Sequence, residues 1–268
     1  MKLSVIILTW NSELYIKSCL DSLMDDLIES SIDFEIFVVD NGSTDKTRDI
    51  LNGYNKNINV IFLNKNCGTT FSRNIALKKS VGEYILFLDS DTKIIHKKTI
   101  NELILTAQNN RKFGIIAPKL ILKDGTTQIS FKKFPTILLK ILKTIPINFI
   151  RKIAVKHESY NFSFEDKNLY KVDYCISACW LVPKEVITQV GLLDEKIFYS
   201  PEDVDFCLRI WKASYEVVWY PSVEILHYCQ RVSYKNPLIA ISHFWGLIYF
   251  FKKHKYYFSQ SKIYKMMK

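Results

Sequence analysis

The chain contains no Gly-x-Ser-x-Gly elbow, no GxxxxGK[ST] loop, no GxGxxG fingerprint and no HExxH pair. The serine-hydrolase, Walker-type, dinucleotide-fingerprint and zincin chemistries that need those parts are therefore set aside. Its six cysteines (Cys19, Cys67, Cys175, Cys179, Cys207, Cys229) show no paired CxxC spacing and no secreted-scaffold density. Neither a zinc module nor a disulfide framework follows, and buried free thiols in a reducing compartment are expected. Cys175 and Cys179 are close enough in sequence to share a metal, but no second pair matches them. The apolar stretch 237–251 is interrupted by His243 and is shorter than the roughly 20 residues a bilayer crossing needs. The opening run Leu3–Thr9 is short, β-branched and closed by Trp10-Asn11, which marks a strand and not a signal peptide. The expectation is a cytoplasmic protein, soluble or peripheral at the inner face of the membrane. Internal repeats and low-complexity linkers are also missing.

What is present is an ordinary globular composition, 48% hydrophobic and 24% charged, with 14% aromatics and a net charge of +10. That charge is segmental. Lys132, Lys133, Lys140, Lys143, Arg151, Lys152 and Lys156 follow one another with no acid between them. The tail from Arg231 to Lys268 is likewise purely basic. Two basic surfaces point to an anionic partner: a phosphorylated substrate, an acidic membrane or nucleic acid. Nucleic acid is disfavoured, because no recognised binding motif is present and the acids described below would repel phosphates. The tail sets Phe244, Trp245, Tyr249, Phe250 and Phe251 beside Lys252, Lys253 and Lys255. Two readings stand for it: an anchor at the membrane interface, or a helix packed on the domain.

Over the first hundred residues apolar strands alternate with helical periodicity. Strands are expected at Leu3–Thr9, Phe34–Asp40, Asn59–Leu63 and Tyr84–Leu88, with helices at Ser12–Met24 and Phe71–Lys79. This order predicts an α/β fold with a mostly parallel, doubly wound sheet, whose ligands bind beyond the carboxyl ends of the strands. Later come a strand at Gly114–Pro118, a hairpin turn at Lys123–Thr126 and a strand at Cys179–Val182. A helix Lys184–Val190 closed by Gly191 and another at Glu202–Lys212 follow, then two strands, Glu216–Trp219 and Val223–Leu226. Residues 134–155 mix Ile and Leu with lysines and two prolines, as an amphipathic insertion or a mobile loop.

The chemistry gathers at strand ends. Asp89-Ser90-Asp91 leaves a buried strand, where paired carboxylates can hold a hard divalent cation or simply cap and solvate the turn. Asp40, ahead of Asn41-Gly42-Ser43, can accept a hydrogen bond from a base or serve only the turn. Glu202, Asp203 and Asp205 open a helix, where acids suit the dipole, and one of them can instead be a general base. His227 ends a strand and is either structural or, with Asp91, a metal ligand.

Taken in order, the runs 3–11, 38–45, Asn66-Cys67-Gly68 with Arg73-Asn74, and 87–91 resemble glycosyltransferase family two. The later run Gly191–Glu195, Glu202–Arg209, Pro221 and His227 is similar to its rhamnosyltransferase-like branch. The resemblance implies a GT-A fold, a dTDP-, UDP- or GDP-linked sugar donor, Mn²⁺ or Mg²⁺, and inversion at the anomeric carbon. It implies nucleotide binding by Thr9, Asn11 and Asp40 with help from Arg73, and Asp89 near the ribose and donor. Asp91 would hold the metal with His227, and Asp203, beside Glu202, would be the catalytic base. The acceptor would be a hydroxyl of a glycan or lipid-linked saccharide in cell-surface polysaccharide synthesis. On this reading 1–230 is the transferase domain, divided into a donor half (1–117) and an acceptor half (118–230), with 231–268 as a tail. Many relatives carry Asn-Pro-Asp where this chain has Asp-Ser-Asp, so the branch does not fix the sugar. A nucleotide-sugar-binding scaffold without catalysis is the alternative within the same fold.

Overall fold

The computed structural model describes residues 2–54, 58–162, 168–230 and 237–267. Arg231, Lys235 and Lys268 of the basic tail lie outside the described residues. The first strand-helix units are β1 (Lys2–Thr9), α1 (Ile16–Glu29), β2 (Asp33–Asp40), α2 (Thr47–Asn52), β3 (Asn59–Phe62), α3 (Thr69–Lys79) and β4 (Tyr84–Asp89). All four strands are parallel, in the order β3-β2-β1-β4. Their unbroken apolar character has a direct cause, because both faces of the sheet are covered. Leu3, Val5 and Ile7 of β1 join one core with Leu20, Leu23, Ile100 and Leu103. Ile6 points the other way, into a core with Ala76, Leu77, Phe206 and Leu208. Helix α1 starts at Ile16, a turn later than expected. The Ser12 N–H donates to Thr47 Oγ1 (2.8 Å) and its hydroxyl lies 2.8 Å from that of Ser90, so this turn ties loops together instead.

Next along the chain come β5 (Thr92–Ile94), α4 (Thr99–Asn109), β6 (Phe113–Ile121), β7 (Thr127–Gln128) and β8 (Phe131–Lys132). The stretch read as insertion or mobile loop forms two helices, α5 (Ile137–Thr144) and α6 (Asn148–Glu158). Thr136 caps the first by accepting from the Leu139 N–H, and Pro146 falls in the break between them. Short strands β9 (Tyr170–Lys171) and β10 (Tyr174–Cys175) precede β11 (Cys179–Pro183), α7 (Lys184–Val190), α8 (Glu202–Lys212) and β12 (Glu216–His227). The two expected last strands are thus one strand with an irregularity between Tyr220 and Glu224. Pro221 falls there, and having no N–H it cannot continue the ladder.

The sheet continues past β4 as β11-β6-β12-β5. Strand β11 runs antiparallel to both β4 and β6, while β12 runs parallel to β6. Two consequences position the site. The carboxyl end of β12, with His227, emerges at the same edge as those of β1, β2 and β4. The amino end of β11 arrives there too, bringing Ser177 and Ala178.

Two helices close the chain, Pro237–His254 and Gln260–Met266. Phe250, Phe251, Tyr256 and Ile263 are buried in the main core, so this half of the tail packs on the domain. Ile241, Phe244, Trp245 and Ile248 stay exposed. No described helix is long and apolar enough to cross a membrane.

Candidate active site

Beyond the strand ends lies a cleft of about 250 Å³, lined among others by Arg73, Asp89, Ser177, Glu202, Asp203 and His227. Helix α3 carries Arg73 into it from one side, and α8 presents Glu202 and Asp203 from another. The loop ahead of α8 is pinned to α3. The Thr69 N–H donates to the Phe198 carbonyl (2.6 Å), Thr70 Oγ1 to the Ile197 carbonyl (2.6 Å), and Asn74 Nδ2 to the Leu193 carbonyl (2.9 Å). Gly68 (φ +86°) permits this approach, since a Cβ there would stand 2.3 Å from the Phe198 carbonyl oxygen.

Arg73 is buried and forms the hub. Its guanidinium donates to Asp89 Oδ1 (2.6 Å) and Ser177 Oγ (2.7 Å), and lies 3.8 Å from Glu202 Oε1. The Ser177 hydroxyl in turn donates to Glu202 Oε1 at 3.1 Å. Asp89 and Glu202 are therefore linked through one cation, with Asp89 closest to it. Burial pushes the Asp89 carboxyl up despite Arg73. Burial, with Asp203 next in chain, pushes Glu202 up to about 8, because Arg73 at 3.8 Å is already engaged by Asp89.

The three acids at the head of α8 separate. Asp205 is buried against the C-terminal helix, accepting from Lys253 Nζ (2.6 Å), His254 Nε2 (2.8 Å) and Arg209 Nε (2.9 Å). Glu202 belongs to the Arg73 hub. Asp203 lines the cleft partly buried and accepts only the Val204 N–H, at 2.8 Å, among the described residues. Burial raises its pKa.

Asp89, Asp91 and His227 bring ligand atoms within 4.8 Å of one another, the one such group among the described residues. Cys175 and Cys179 form no part of it; both sit inside the core, where burial pushes their thiols up. His227 Nδ1 donates to Gln128 Oε1 (2.6 Å), which leaves Nε2 facing Asp91 Oδ1 at 3.3 Å. Burial would lower the imidazole pKa, but the Asp91 carboxylate outweighs it and raises it. For Asp91 burial works upward, and His227 with the Gln230 N–H (3.0 Å) brings the net shift below the usual range. Two carboxylates and an imidazole with its free nitrogen turned inward form a donor set that fits Mn²⁺ or Mg²⁺.

Further along the same edge Thr9 and Asp40 are register partners on neighbouring strands. Asp40 Oδ2 accepts from Arg48 Nε (2.7 Å) and the Ser43 N–H (3.2 Å), whereas Oδ1 is buried without a partner. Thr9 Oγ1 is buried and unpartnered as well. Both groups stand at the carboxyl ends of their strands. Asn11 works within the loops, its Oδ1 accepting from the Thr44 N–H at 2.8 Å. Ser177, Gln128 and Gln230 were invisible in the sequence, since no local pattern marks them and long-range strand pairing delivers them.

Strands alternating with helices, with acids massed at the carboxyl edge beside a cleft, define an α/β architecture of the GT-A class. The chain belongs to glycosyl transferase family 2, whose family model matches residues 4–191. Poly(ribitol-phosphate) β-N-acetylglucosaminyltransferase TarS of Staphylococcus aureus is 30% identical over 264 residues, covering 90% of this chain and 43% of TarS. TuaG of Bacillus subtilis, named for teichuronic acid biosynthesis, is 36% identical over 135 residues, 49% of this chain and 52% of TuaG. The chain thus spans about half the length of these relatives. The crystal structure of TarS 1–349 superposes with a TM-score of 0.58 at 24% identity, over 90% of this chain and 65% of that one. GalNAc-T7, solved with UDP, GalNAc and Mn²⁺, gives 0.62 at 15% identity over 85% and 44%. These likenesses establish the fold.

Proposed function

We propose that the chain transfers a sugar from a UDP-linked donor, with inversion, to a hydroxyl of an anionic cell-surface glycan or polyol acceptor. The observation that carries this reading is the cleft itself, lined by Asp89, His227 and the Asp203 carboxylate, with Asp91 held against His227. The buried, unpartnered Asp40 Oδ1 is suited to accept a base N–H, and Thr9 Oγ1 stands beside it. Uridine is preferred over thymidine and guanosine because TarS has been solved with UDP and with UDP-GlcNAc. For the same reason a hexose or N-acetylhexosamine is preferred over the rhamnose that the branch resemblance implies.

In the reaction Asp203 takes the proton of the acceptor hydroxyl while its oxygen bonds to the anomeric carbon. The bond from that carbon to the diphosphate oxygen breaks, and its electron pair leaves with the nucleotide. Arg73 holds Asp89 and Glu202 in place and keeps positive charge beside the donor. Asp91 and His227, with Asp89, would hold the divalent cation, which when bound offsets the charge gathering on the departing diphosphate. Exposed aromatics and lysines of the C-terminal helix further lead us to place the enzyme at an anionic membrane surface, on the cytoplasmic side where nucleotide sugars are used.

Thermal unfolding with UDP, dTDP and GDP, each with and without Mn²⁺, tests the donor assignment. Saturating UDP with Mn²⁺ at about 100 times its Kd should stabilise the fold by about 2.7 kcal/mol, with the other bases weaker. Asp91→Asn should abolish the metal-dependent part. Equal stabilisation by all three bases, or none, contradicts the reading.

A further inference from the structure

The two ring nitrogens of His227 face different partners, and those partners compete over where a single proton sits. Nε2 lies 3.3 Å from Asp91 Oδ1, and a carboxylate there draws the proton of a neutral imidazole towards itself. A proton on Nε2 presents an N–H to the site, and that nitrogen then cannot be a ligand. On the other side Nδ1 lies 2.6 Å from Gln128 Oε1. The amide is turned with its oxygen to the ring, because its Nε2 points to the Cys229 sulfur at 3.7 Å. A carbonyl oxygen only accepts, so Nδ1 must carry a proton, and in the neutral ring Nε2 is then bare. Gln128 and Asp91 thus pull the imidazole towards opposite tautomers.

Strand register brings Gln128 to this place. The turn between β6 and β7 is closed by its own residues. The Leu122 N–H donates to the Thr126 carbonyl (2.8 Å), the Gly125 N–H to the Leu122 carbonyl (2.9 Å), and the Thr126 N–H to Asp124 Oδ1 (3.0 Å). That turn sets Gln128 opposite Leu120 of β6, and Leu120 is opposite Ile225 of β12. Side chains alternate along a strand, so His227, two residues past Ile225, leaves the sheet on the same face as Gln128. Leu120 and Ile225 are buried in one core, which anchors both strands. Among the described residues the Gln128 side chain hydrogen-bonds only His227 and Cys229, so its amide serves neither a turn nor a helix cap.

We propose that Gln128 is a positioning residue that holds His227 in the tautomer with a bare Nε2, and so makes the Asp91–His227 pair able to take a divalent cation. The inference rests on the cation role proposed for Asp89, Asp91 and His227 and deepens it. Gln128 acts through the imidazole and touches no reacting atom.

The test compares the full-length wild type with Gln128→Met, which keeps the side-chain length but removes the strong acceptor, and with Gln128→Glu, which keeps an acceptor. The first readout is nitrogen NMR of labelled histidine in cation-free protein, at a pH where the ring is neutral. His227 is assigned by the signal lost in His227→Asn. The second is calorimetric titration of Mn²⁺, with and without UDP. Wild type and Gln128→Glu should carry the proton on Nδ1, and Gln128→Met should move it largely to Nε2. Affinity for Mn²⁺ should fall about 10–100-fold in Gln128→Met and stay close to wild type in Gln128→Glu. Melting temperature without Mn²⁺ should match in all three proteins. A wild-type ring protonated on Nε2, or unchanged Mn²⁺ affinity in Gln128→Met, overturns the proposal. So does weaker Mn²⁺ binding with the tautomer unmoved, which would leave Gln128 a merely structural residue. The wild-type spectrum decides the tautomer by itself should Gln128→Met fail to fold. A wild type that binds UDP but no Mn²⁺ overturns this proposal and leaves the donor reading standing. One that binds Mn²⁺ but no UDP does the reverse.

Discussion

At the scale of single residues, three neighbouring acids at one helix start have three fates, and each is open to a separate measurement. Asp203 alone faces the cleft with spare hydrogen-bonding capacity, so Asp203→Asn should cut the transfer rate by about 10²–10⁴ with little change in melting temperature. A rate within a few-fold of wild type would remove it as the base. Because the base works only when ionised and burial raises its pKa, the rate should fall on the acid side well above the roughly 3.9 of a free aspartate. Glu202 is different, since it is held up at about 8 from an ordinary 4.5. A raised folded pKa means that its stabilisation is complete below pH 4.5 and disappears as pH rises through about 8. Melting temperature should therefore drop between pH 6 and pH 9 more steeply in wild type than in Glu202→Gln, whose amide keeps the Ser177 contact. Parallel curves would show that Glu202 is already ionised.

At the scale of elements, the C-terminal helix is a buttress of the site. Lys253 and His254 clasp Asp205, and Gly246 lies against the Ser200 carbonyl, where a Cβ would stand 2.2 Å away. Gly246→Ala should displace the loop that presents Asp203 and lower the rate by roughly 10² through misplacement alone. Donor binding on the opposite wall should survive, and loss of UDP affinity in that variant would speak against a local effect. For Asp205 burial acts upward, but His254, Arg209 and Lys253 together hold its carboxyl far below the usual range. A depressed pKa gives stability that is present above the unfolded value and lost as pH falls towards the folded one. Asp205→Asn should cost about 3–5 kcal/mol at neutral pH, and a smaller margin in acid, read by thermal melts and by proteolysis of the tail. Much of this level was legible in the sequence. Strands β1, β2 and β4 announce themselves because a doubly covered strand must be apolar throughout and polar where it leaves the sheet. Helix α8 was bounded by its acids and its basic last turn. The strand bearing His227 was split by Pro221, whose missing N–H looks like an end and is a bulge. Ser177 and Gln128 had no local signal at all: Ser177 meets Arg73 across 104 residues, delivered by an antiparallel strand whose direction no short window encodes.

At the scale of the whole molecule, the two basic segments read from the sequence are neighbours in space. The Ile137 N–H bonds the Tyr257 carbonyl, the Tyr256 hydroxyl the Pro135 carbonyl (2.9 Å), and Gln260 Nε2 the Phe134 carbonyl (2.7 Å). Lysines of α5 and α6 and those of the C-terminal helices thus belong to one side of the protein. The same elements expose Leu138, Ile141 and Phe149, together with Phe244, Trp245 and Phe258. Exposed aromatics beside lysines suit a membrane surface, where each buried ring contributes about 1.5–3 kcal/mol and each lysine about 1 kcal/mol on anionic lipid. Truncation at Arg231 is a poor test of this, because it removes the buried Phe250, Phe251, Tyr256 and Ile263 and unravels the core. Phe244→Ser/Trp245→Ser changes only side chains that already face out, 58% and 62% exposed. Wild type should float with liposomes containing phosphatidylserine and stay behind with phosphatidylcholine alone, with binding weakened by high salt. The double variant should lose most of that flotation while keeping its melting temperature and its UDP response. Equal flotation of the two proteins would leave the aromatic face without a role at the membrane.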